Sequence, residues 1–254
     1  MSNTREYTAA VIVIGNEILS GRTQDTNTNY IASSLSDRGI RLMEARVIPD
    51  VKDTIIETVN TLRAQYDYVF TTGGIGPTHD DITAECIARA FDVELKVNDD
   101  AFRILEEYYG IEELTQARVK MAYIPVGAKL IANPVSAAPG FQMENVYVFA
   151  GVPRIMQAMM NNVVDDLRGG DPMLNASVAC SLPESVMAED VGKLQGDYDG
   201  KIEIGSYPHF RAGVLGLSIV LRSTDKETLE KATAELIVLI EGRGEVPLVS
   251  YSYN

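Results

Sequence analysis

Short apolar segments alternate with segments of helical periodicity over roughly the first 165 residues, and this alternation constrains the fold more than any other feature. Residues 9–14 (AAVIVI) form an uninterrupted apolar run that ends at Gly15. Such a run is typical of a strand buried on both faces. Strands that alternate with helices predict a parallel sheet covered on both sides, with a ligand at the carboxyl ends of the strands.

The other elements predicted for this region follow the same alternation. Gly39 is the predicted stop of one helix, and Asp53 the predicted cap of another. Helices are predicted at residues 27–38, from 53 onward, at 84–91, 99–109 and 154–167, and strands at 41–48, 66–71 and 146–149. We therefore predict an α/β domain with a mostly parallel sheet over residues 1–170.

The pattern changes at residues 168–172 (RGGDP), which predicts a second domain over residues 171–254. A strand (176–182), a helix opening at 183–185, strands at 201–206 and 214–222, and a helix from a cap near Asp225 to about Glu241 follow in order. This β-α-β-β-α order predicts a small α+β domain with a mostly antiparallel sheet, similar in outline to a ferredoxin-like unit. The tail, residues 246–254, is either an added edge strand or a disordered segment.

The charge and hydropathy of the chain exclude several classes of function. The 254 residues carry a formal net charge of -14, which argues against binding to nucleic acid or to an anionic membrane surface. No apolar run approaches the roughly 18 residues that a spanning helix needs, and an Arg-Glu pair stands where a signal peptide would be apolar. We expect a cytoplasmic protein.

The cysteines and histidines are too few for a disulfide framework or a histidine-rich metal site. Cys86 and Cys180 lie far apart in apolar surroundings, and His79 and His209 are the two histidines. Disulfide frameworks and zinc sites need more of these residues at short spacings. Both cysteines are predicted to be buried free thiols.

A first candidate binding loop follows the first strand and includes Gly15, Asn16, Glu17 and Ser20. Backbone N–H groups and small residues at the end of a buried strand favour an anionic ligand. The alternative interpretation, an ordinary strand-to-helix turn in which Asp25 caps the next helix, explains the segment equally well.

The segment TTGGIGPTHDDIT, residues 71–83, combines features with opposite preferences. Gly73, Gly74 and Gly76 permit close backbone approach to a phosphate, whereas Asp80 and Asp81, read as the start of a helix, repel one. One aspartate is explained as a helix cap and the other as a solvated charge. Since only one cap is needed, a divalent cation between the carboxylates and a phosphate explains the pair better.

Further candidates lie near other predicted strand ends. Asp50 follows the second strand, where turn chemistry after a proline also explains it. Residues 132–141, a loop rich in small side chains, and residues 150–154 (AGVPR) are binding loops or ordinary turns. Lys120 and Arg118 are cations able to neutralise phosphate, unless they are simply solvated.

Four motifs in fixed order carry a resemblance that covers residues 9–167: IGNEILSGRTQDTN, TTGGIGPTHDDIT, ARVKMAYIPVGAKLIANPVSAAPGF and FAGVPRIMQAM. They resemble the molybdopterin-binding domain family of molybdenum-cofactor biosynthesis proteins, and within it the N-terminal domain of the CinA type. The second domain also resembles the region that follows that domain in CinA. The resemblance implies a three-layer α/β sandwich, a homo-oligomer, and a nucleotide or a pterin phosphate such as molybdopterin as ligand.

The resemblance also implies an activity and a set of site residues. The CinA-type domain is associated with metal-dependent pyrophosphatase activity on ADP-ribose, and a similar domain of FAD synthases with FAD hydrolysis. Asp81 and Asp50 match active-site aspartates of the family, and we assign Asp81 as the ligand of Mg²⁺ or another divalent cation, with Asp80 as a second ligand and Asp80 or Asp50 assisting catalysis. The expected ligand-binding residues are Gly15, Asn16, Glu17, Ser20, Gly73, Gly74, Gly76, Thr78, Lys120, Pro139, Gly140, Gly151 and Pro153.

The chain departs from the CinA pattern at several positions. CinA-type sequences usually have Asp at Asn16, Gly-Thr at Ser136-Ala137, and Pro at Ala150. Asn16 keeps its hydrogen-bonding ability but lacks the charge that a cation would favour. The nicotinamide-nucleotide amidase domain of full CinA does not follow, so amidase activity is not expected.

These observations leave alternative functions from different classes. The first is a metal-dependent nucleotide pyrophosphatase. The second is a binding protein that holds molybdopterin or a nucleotide without hydrolysing it, in which Asn16 and Ser136-Ala137 have weakened a catalytic site. A scaffold whose loops serve folding alone is the third, and the coincidence of several loops at one sheet edge argues against it.

Overall fold

The computed structural model describes residues 5–211 and 214–253, apart from the side chains of Arg211, Val214 and Leu215. The chain forms two compact units that divide between Gly170 and Asp171. In the described part of the chain, no helix is both long and apolar enough to cross a membrane.

The N-terminal unit has a sheet in the order β2-β1-β3-β8-β7-β6 and a separate antiparallel pair, β4-β5. Its strands are β1 (Tyr7–Ile14), β2 (Ile40–Ile48), β3 (Tyr68–Thr72), β4 (Leu95–Val97), β5 (Tyr123–Pro125), β6 (Lys129–Ile131), β7 (Gly140–Met143) and β8 (Val146–Phe149). Its helices are α1 (Asn16–Leu19), α2 (Asn27–Ser36), α3 (Lys52–Gln65), α4 (Thr83–Ala90), α5 (Asp99–Tyr109), α6 (Gln116–Lys120) and α7 (Pro153–Asn161).

Helices cover both faces of this sheet, because the side chains of β1 alternate between separate hydrophobic clusters. Ala10, Ile12 and Ile14 pack with residues of α3, α4 and α5, whereas Ala9, Val11 and Val13 pack with residues of α2 and α7. The pairs β1-β2, β1-β3 and β3-β8 are parallel. The predicted α/β fold with a mostly parallel sheet is therefore confirmed.

The sheet continues beyond β8 through β7 and β6, which the sequence analysis assigned to a loop or left unassigned. Both join antiparallel, and β7 begins at Gly140, inside the predicted loop at residues 132–141. A Cβ on Gly140 would lie 2.5 Å from the Val148 carbonyl oxygen, so a small residue marks close strand packing here. Strands of three or four residues contain too few alternations to stand out in the sequence.

Some predicted boundaries are wrong. Asp53 lies in the first turn of α3, whose N-cap residue is Val51, and α7 ends at Asn161 instead of extending to residue 167. Asp80 and Asp81 precede α4 instead of starting it. The buried Thr83 sets that start, because its hydroxyl donates to the Gly73 carbonyl oxygen (3.0 Å) and its amide to that of Gly74 (2.9 Å).

The C-terminal unit contains β9 (Leu174–Cys180), α8 (Glu184–Asp197), β10 (Glu203–Arg211), β11 (Val214–Ser223), α9 (Lys226–Glu241) and β12 (Leu248–Ser252). Its strands pair antiparallel in the order β10-β11-β9-β12, which agrees with the predicted α+β architecture. Residues of α8 and α9 pack against one face of this sheet, and Asp225 caps α9 by accepting the Thr228 amide at 2.7 Å.

The tail forms the edge strand β12, whereas Asn254 lies outside the described residues. β10 runs past the predicted end because an edge strand tolerates Pro208.

Cys86 and Cys180 are buried free thiols, as predicted. Burial raises the pKa of the Cys86 thiol to about 11, so near pH 7.5 its thiolate is at least about 100-fold rarer than that of an exposed cysteine. In a Cys180→Ser variant, Cys86 is the remaining thiol. We expect Ellman's reagent to react with it at least about 100-fold more slowly than with an exposed cysteine, until a denaturant unfolds the protein. Labelling of the native protein at the rate of an exposed cysteine would contradict this expectation.

Candidate functional site

The loops that follow β1, β2, β3 and β8 meet at one edge of the sheet, because the carboxyl ends of parallel strands lie together. The Gly15 amide donates to the Ile48 carbonyl oxygen (3.2 Å), and the Gly73 amide donates to that of Phe149 (3.1 Å). The buried Asn27 donates its Nδ2 to the Gly151 carbonyl oxygen at 2.8 Å. Hydrogen bonds thus connect loops that are far apart in the sequence.

Gly73 and Gly74 form a turn that another residue would distort. Their φ angles are 106° and 70°, a region that side chains with a Cβ disfavour. A Cβ on Gly73 would lie 2.1 Å from the Ile14 carbonyl oxygen, and one on Gly74 would lie 2.1 Å from Thr83 Oγ1. The glycines therefore allow β1, the turn and the start of α4 to pack closely.

A cleft of about 580 Å³ lies among these loops. Several of its lining residues belong to the predicted site: Glu17, Gly73, Gly74, Gly76, Asp81, Gly151 and Pro153. The others are Thr23, Ile75, Pro77, Tyr109, Arg118, Met121, Asn133, Ser136, Ala138, Ala150, Val152 and Ile155. The cleft thus combines backbone-rich turns, carboxylates and an apolar wall, as small-molecule sites commonly do.

The two aspartates converge on Thr78 in the turn before α4. Asp81 Oδ2 accepts the Thr78 amide (2.7 Å) and the Thr78 hydroxyl (2.6 Å), and Asp80 Oδ1 also lies within hydrogen-bonding distance of that hydroxyl. The Thr78 hydroxyl lowers the pKa of Asp80 below its ordinary value. Lys120 Nζ donates to the Thr78 carbonyl oxygen, so the turn is held from both sides.

Asp81 lines the cleft, whereas Asp80 is exposed outside its lining. The Oδ1 of Asp81 makes no hydrogen bond to the residues that the structure describes. Across residues 5–211 and 214–253, no group of three or more His, Cys, Asp or Glu side chains is arranged to hold a metal ion. A cation here would need ligand oxygens from water or a phosphate besides the carboxylates.

The loop after β1 leads into α2 and also contributes to the cleft lining. Asp25 was predicted as the cap of α2, but the N-cap residue is Thr26. Asp25 precedes it, and its Oδ1 accepts the amides of Asn27 (2.9 Å) and Thr28 (3.2 Å) in the first turn. Glu17, however, lines the cleft. A Cβ on Gly15 would come within 2.5 Å of Glu17 Oε1, so the glycine leaves room for this carboxylate.

The structure does not bring the remaining predicted residues to the cleft lining. Asp50 Oδ2 accepts the amide of Asn16 at 2.9 Å, and Ser20 donates to the Glu17 carbonyl oxygen at 3.2 Å. Gly140 is buried in β7. Thr78, Lys120 and Pro139 likewise lie outside the lining. Asp50 and Ser20 thus make hydrogen bonds within and next to the loop after β1, and Gly140 packs within the sheet.

Asn133 also lines the cleft, although no individual role was predicted for it within its loop of small residues. Its Nδ2 donates to Ser136 Oγ and to the Ala138 carbonyl oxygen, both at 2.8 Å, and its Oδ1 accepts the amides of Val135 and Ser136. This network holds the turn in which Ala137 has a φ of 65°. Asn133 is only 7% exposed, and an asparagine before a proline was the available signal for such a turn.

The family model described as "Probable molybdopterin binding domain" matches residues 10–169. The chain belongs to this molybdopterin-binding domain family. Residues 172–248 match a second model, described as "FAD synthase, middle domain". The two matches point to binding or processing of nucleotide-related small molecules.

Relatives and a solved structure support membership of the molybdopterin-binding domain family. A Caldivirga maquilingensis protein is 37% identical over 209 residues, which are 79% of this chain and 81% of the relative. An Archaeoglobus fulgidus protein is 33% identical over 233 residues, which are 92% and 98% of the two chains. The crystal structure of the protein CinA from Thermoplasma acidophilum has 36% sequence identity and a TM-score of 0.60, and covers 63% of this chain and 98% of that one. The similarity to CinA inferred from the motifs is thus confirmed.

Proposed function

We propose that this chain is a metal-dependent nucleotide pyrophosphatase that cleaves the diphosphate of ADP-ribose or a related dinucleotide. The observation that carries the proposal is the position of Asp81, whose carboxylate lines the same cleft as Gly73, Gly74 and Gly76. A backbone-rich turn favours phosphate, whereas a carboxylate beside it repels phosphate unless a cation intervenes. Membership of the molybdopterin-binding domain family and the match to the FAD synthase middle domain support a ligand of this class.

The aspartate turn fits a Mg²⁺-type cation. Mg²⁺ typically takes one or two protein carboxylates and completes its shell with water and substrate phosphates. Asp81 would hold the cation with its Oδ1, and Asp80, which shares the Thr78 hydroxyl, would be the second carboxylate. The bound cation would supply charge neutralisation at the diphosphate and orient it.

The protein groups around the cleft suit the rest of the reaction. The Gly74 amide and the amino end of α7 at Pro153 offer partial positive charge to the phosphate oxygens, whereas the Gly73 amide is used by the Phe149 carbonyl oxygen. A water oxygen attacks one phosphorus atom, the bond from that phosphorus to the bridging oxygen breaks, and the water proton passes to a carboxylate. Glu17 is the cleft-lining carboxylate that we assign to this proton transfer, because Asp50 lies outside the lining and accepts the Asn16 amide.

The decisive experiment measures AMP release from ADP-ribose and FAD at neutral pH, with Mg²⁺ and with excess EDTA. We expect turnover with Mg²⁺ and loss of turnover when EDTA removes the metal, because both proposed ligands are carboxylates with no nitrogen or sulfur donor. Restoration by added Mg²⁺ is the control for irreversible damage by the chelator. No turnover on either substrate, or equal turnover in EDTA, would overturn the proposal.

Binding without hydrolysis is the second candidate, and the surroundings of Asp50 favour it. A CinA-type site usually has Asp at position 16, whereas this chain has Asn16, and Asp50 is engaged by the amide of that residue. The cleft therefore has fewer carboxylates available for catalysis than the family pattern implies. Calorimetry with molybdopterin and with ADP-ribose tests this candidate: tight binding without product release supports it, and no detectable heat with either ligand excludes it.

We further propose that the protein acts in the cytoplasm as a homo-oligomer, without nucleic acid or membrane partners. The net charge of -14 supports the absence of such partners, and the molybdopterin-binding domain resemblance supports self-association. Sedimentation equilibrium tests the oligomer, since a mass equal to the monomer at all concentrations would contradict it.

A further inference from the structure

One wall of the cleft is formed by Tyr109, the last residue of α5, and Arg118, in α6. The Arg118 Cζ atom lies 4.1 Å from the centroid of the Tyr109 ring. At this distance the guanidinium group is in cation–π contact with the ring. The two side chains therefore form one stacked unit beside the cleft.

The same guanidinium group of Arg118 is also held by Glu113. Its Nη1 donates to the Glu113 carbonyl oxygen and lies 3.3 Å from Glu113 Oε2. The carboxylate partly compensates the charge of the guanidinium group, and the ring and the carbonyl hold its position. An arginine held in this way has less charge to offer a phosphate and is preorganised to present a flat surface.

The neighbouring lining is apolar. Ile75, Met121, Val152 and Ile155 line the same cleft. A cleft lined by aliphatic and thioether groups as well as a guanidinium–tyrosine unit suits a flat, weakly hydrated ring system better than a second charged group. The backbone-rich turn at Gly73 and Gly74 in the same cleft suits a phosphate. The cleft thus has separate surfaces for the two chemical parts of a nucleotide.

We propose that Tyr109 and Arg118 are a stacking platform that selects ligands with a flat aromatic heterocycle, a nucleobase or a pterin, over sugar phosphates that lack one. This inference deepens the proposed function and rests on its cleft. Stacking of a base on an aromatic side chain contributes roughly 5- to 100-fold in affinity. The platform would therefore determine specificity, whereas the glycine turn and Asp81 would handle the diphosphate.

The test compares dissociation constants for AMP and for ribose 5-phosphate, measured by competition in the full chain without any hydrolysis step. Tyr109→Leu removes the ring but keeps an apolar side chain, and Tyr109→Phe keeps the ring. Tyr123→Leu is the matched control, since Tyr123 is 40% exposed and lies outside the cleft lining. Tyr108 is unsuitable, because its ring packs edge-on against that of Tyr109 with 4.8 Å between the centroids. Arg118→Lys keeps the charge but removes the planar guanidinium group. Thermal unfolding of each variant confirms that it is folded.

We expect Tyr109→Leu and Arg118→Lys each to weaken AMP binding about tenfold and to leave ribose 5-phosphate binding unchanged. Tyr109→Phe and Tyr123→Leu should bind both ligands as the unaltered protein does. Equal losses for AMP and ribose 5-phosphate would overturn the inference, because they would show that the residues contact phosphate. Unchanged AMP binding in Tyr109→Leu would also overturn the inference. The same holds if the unaltered protein does not bind AMP. Base-dependent binding without diphosphate hydrolysis would sustain the platform while refuting the proposed catalysis.

Discussion

Asp81→Asn is expected to lower the rate of ADP-ribose hydrolysis about 100-fold or more and to leave the fold intact. The asparagine Oδ1 can still accept the hydrogen bonds that Thr78 donates to Asp81 Oδ2, so the turn before α4 keeps its geometry. What the substitution removes is the negative charge beside the phosphate turn, which the proposed cation requires. AMP release at saturating Mg²⁺ measures the effect, and thermal unfolding measures the stability.

Asp80→Asn is the matched control for this prediction. Asp80 Oδ1 also lies within hydrogen-bonding distance of the Thr78 hydroxyl, but Asp80 is exposed and lies outside the cleft lining. We expect a loss of about tenfold or less, because Asp80 is the exposed one of the two proposed ligands and a water molecule can take its place around Mg²⁺. An unchanged rate in Asp81→Asn, or a larger loss in Asp80→Asn than in Asp81→Asn, would require a different assignment of the metal ligand.

Gly73→Ala is expected to destabilise the protein by about 3 kcal/mol or more. Two costs combine at this position. The φ of 106° disfavours any residue with a Cβ, and the new Cβ would lie 2.1 Å from the Ile14 carbonyl oxygen at the end of the central strand β1. The backbone cannot yield there without disturbing β1 or the Gly73–Phe149 hydrogen bond. Urea denaturation measures the free energy of unfolding.

Gly127→Ala separates the two costs. Gly127 also has a positive φ, 92°, but a Cβ there would meet no atom within 4 Å. We expect this variant to lose only about 1–2 kcal/mol, the cost of the backbone conformation alone. If the free energy of unfolding falls by the same amount in both variants, the close packing of Gly73 against β1 contributes nothing to stability.

Local patterns were sufficient to predict the central part of the fold. The apolar run at residues 9–14 predicted β1, because a strand buried on both faces needs apolar side chains at every position. The same reasoning failed for β6 and β7, whose few residues show no periodicity and whose pairing depends on β8. The start of α4 was also missed, since it depends on the hydrogen bonds from Thr83 to Gly73 and Gly74.

For the candidate site, Asp81, Glu17 and the glycine turn, all predicted from the sequence, line the cleft, whereas Lys120 lies outside the lining. Lys120 was assigned to the ligand, whereas Arg118 lines the cleft and Lys120 holds the aspartate turn. The two residues lie two positions apart in α6, and such residues face different directions on a helix. The direction in which each one points depends on how α6 packs, which the sequence does not show.

By itself, the sequence determined the α/β class and the membership of the molybdopterin-binding domain family, and it predicted a candidate site at the ends of parallel strands. These follow from local composition, periodicity and ordered motifs. Only the tertiary structure decided that Asp50 supports the Asn16 amide instead of entering the cleft and that Tyr109 and Arg118 form its wall. Such assignments depend on side-chain directions and on contacts between residues distant in the chain, and neither is encoded in a local pattern.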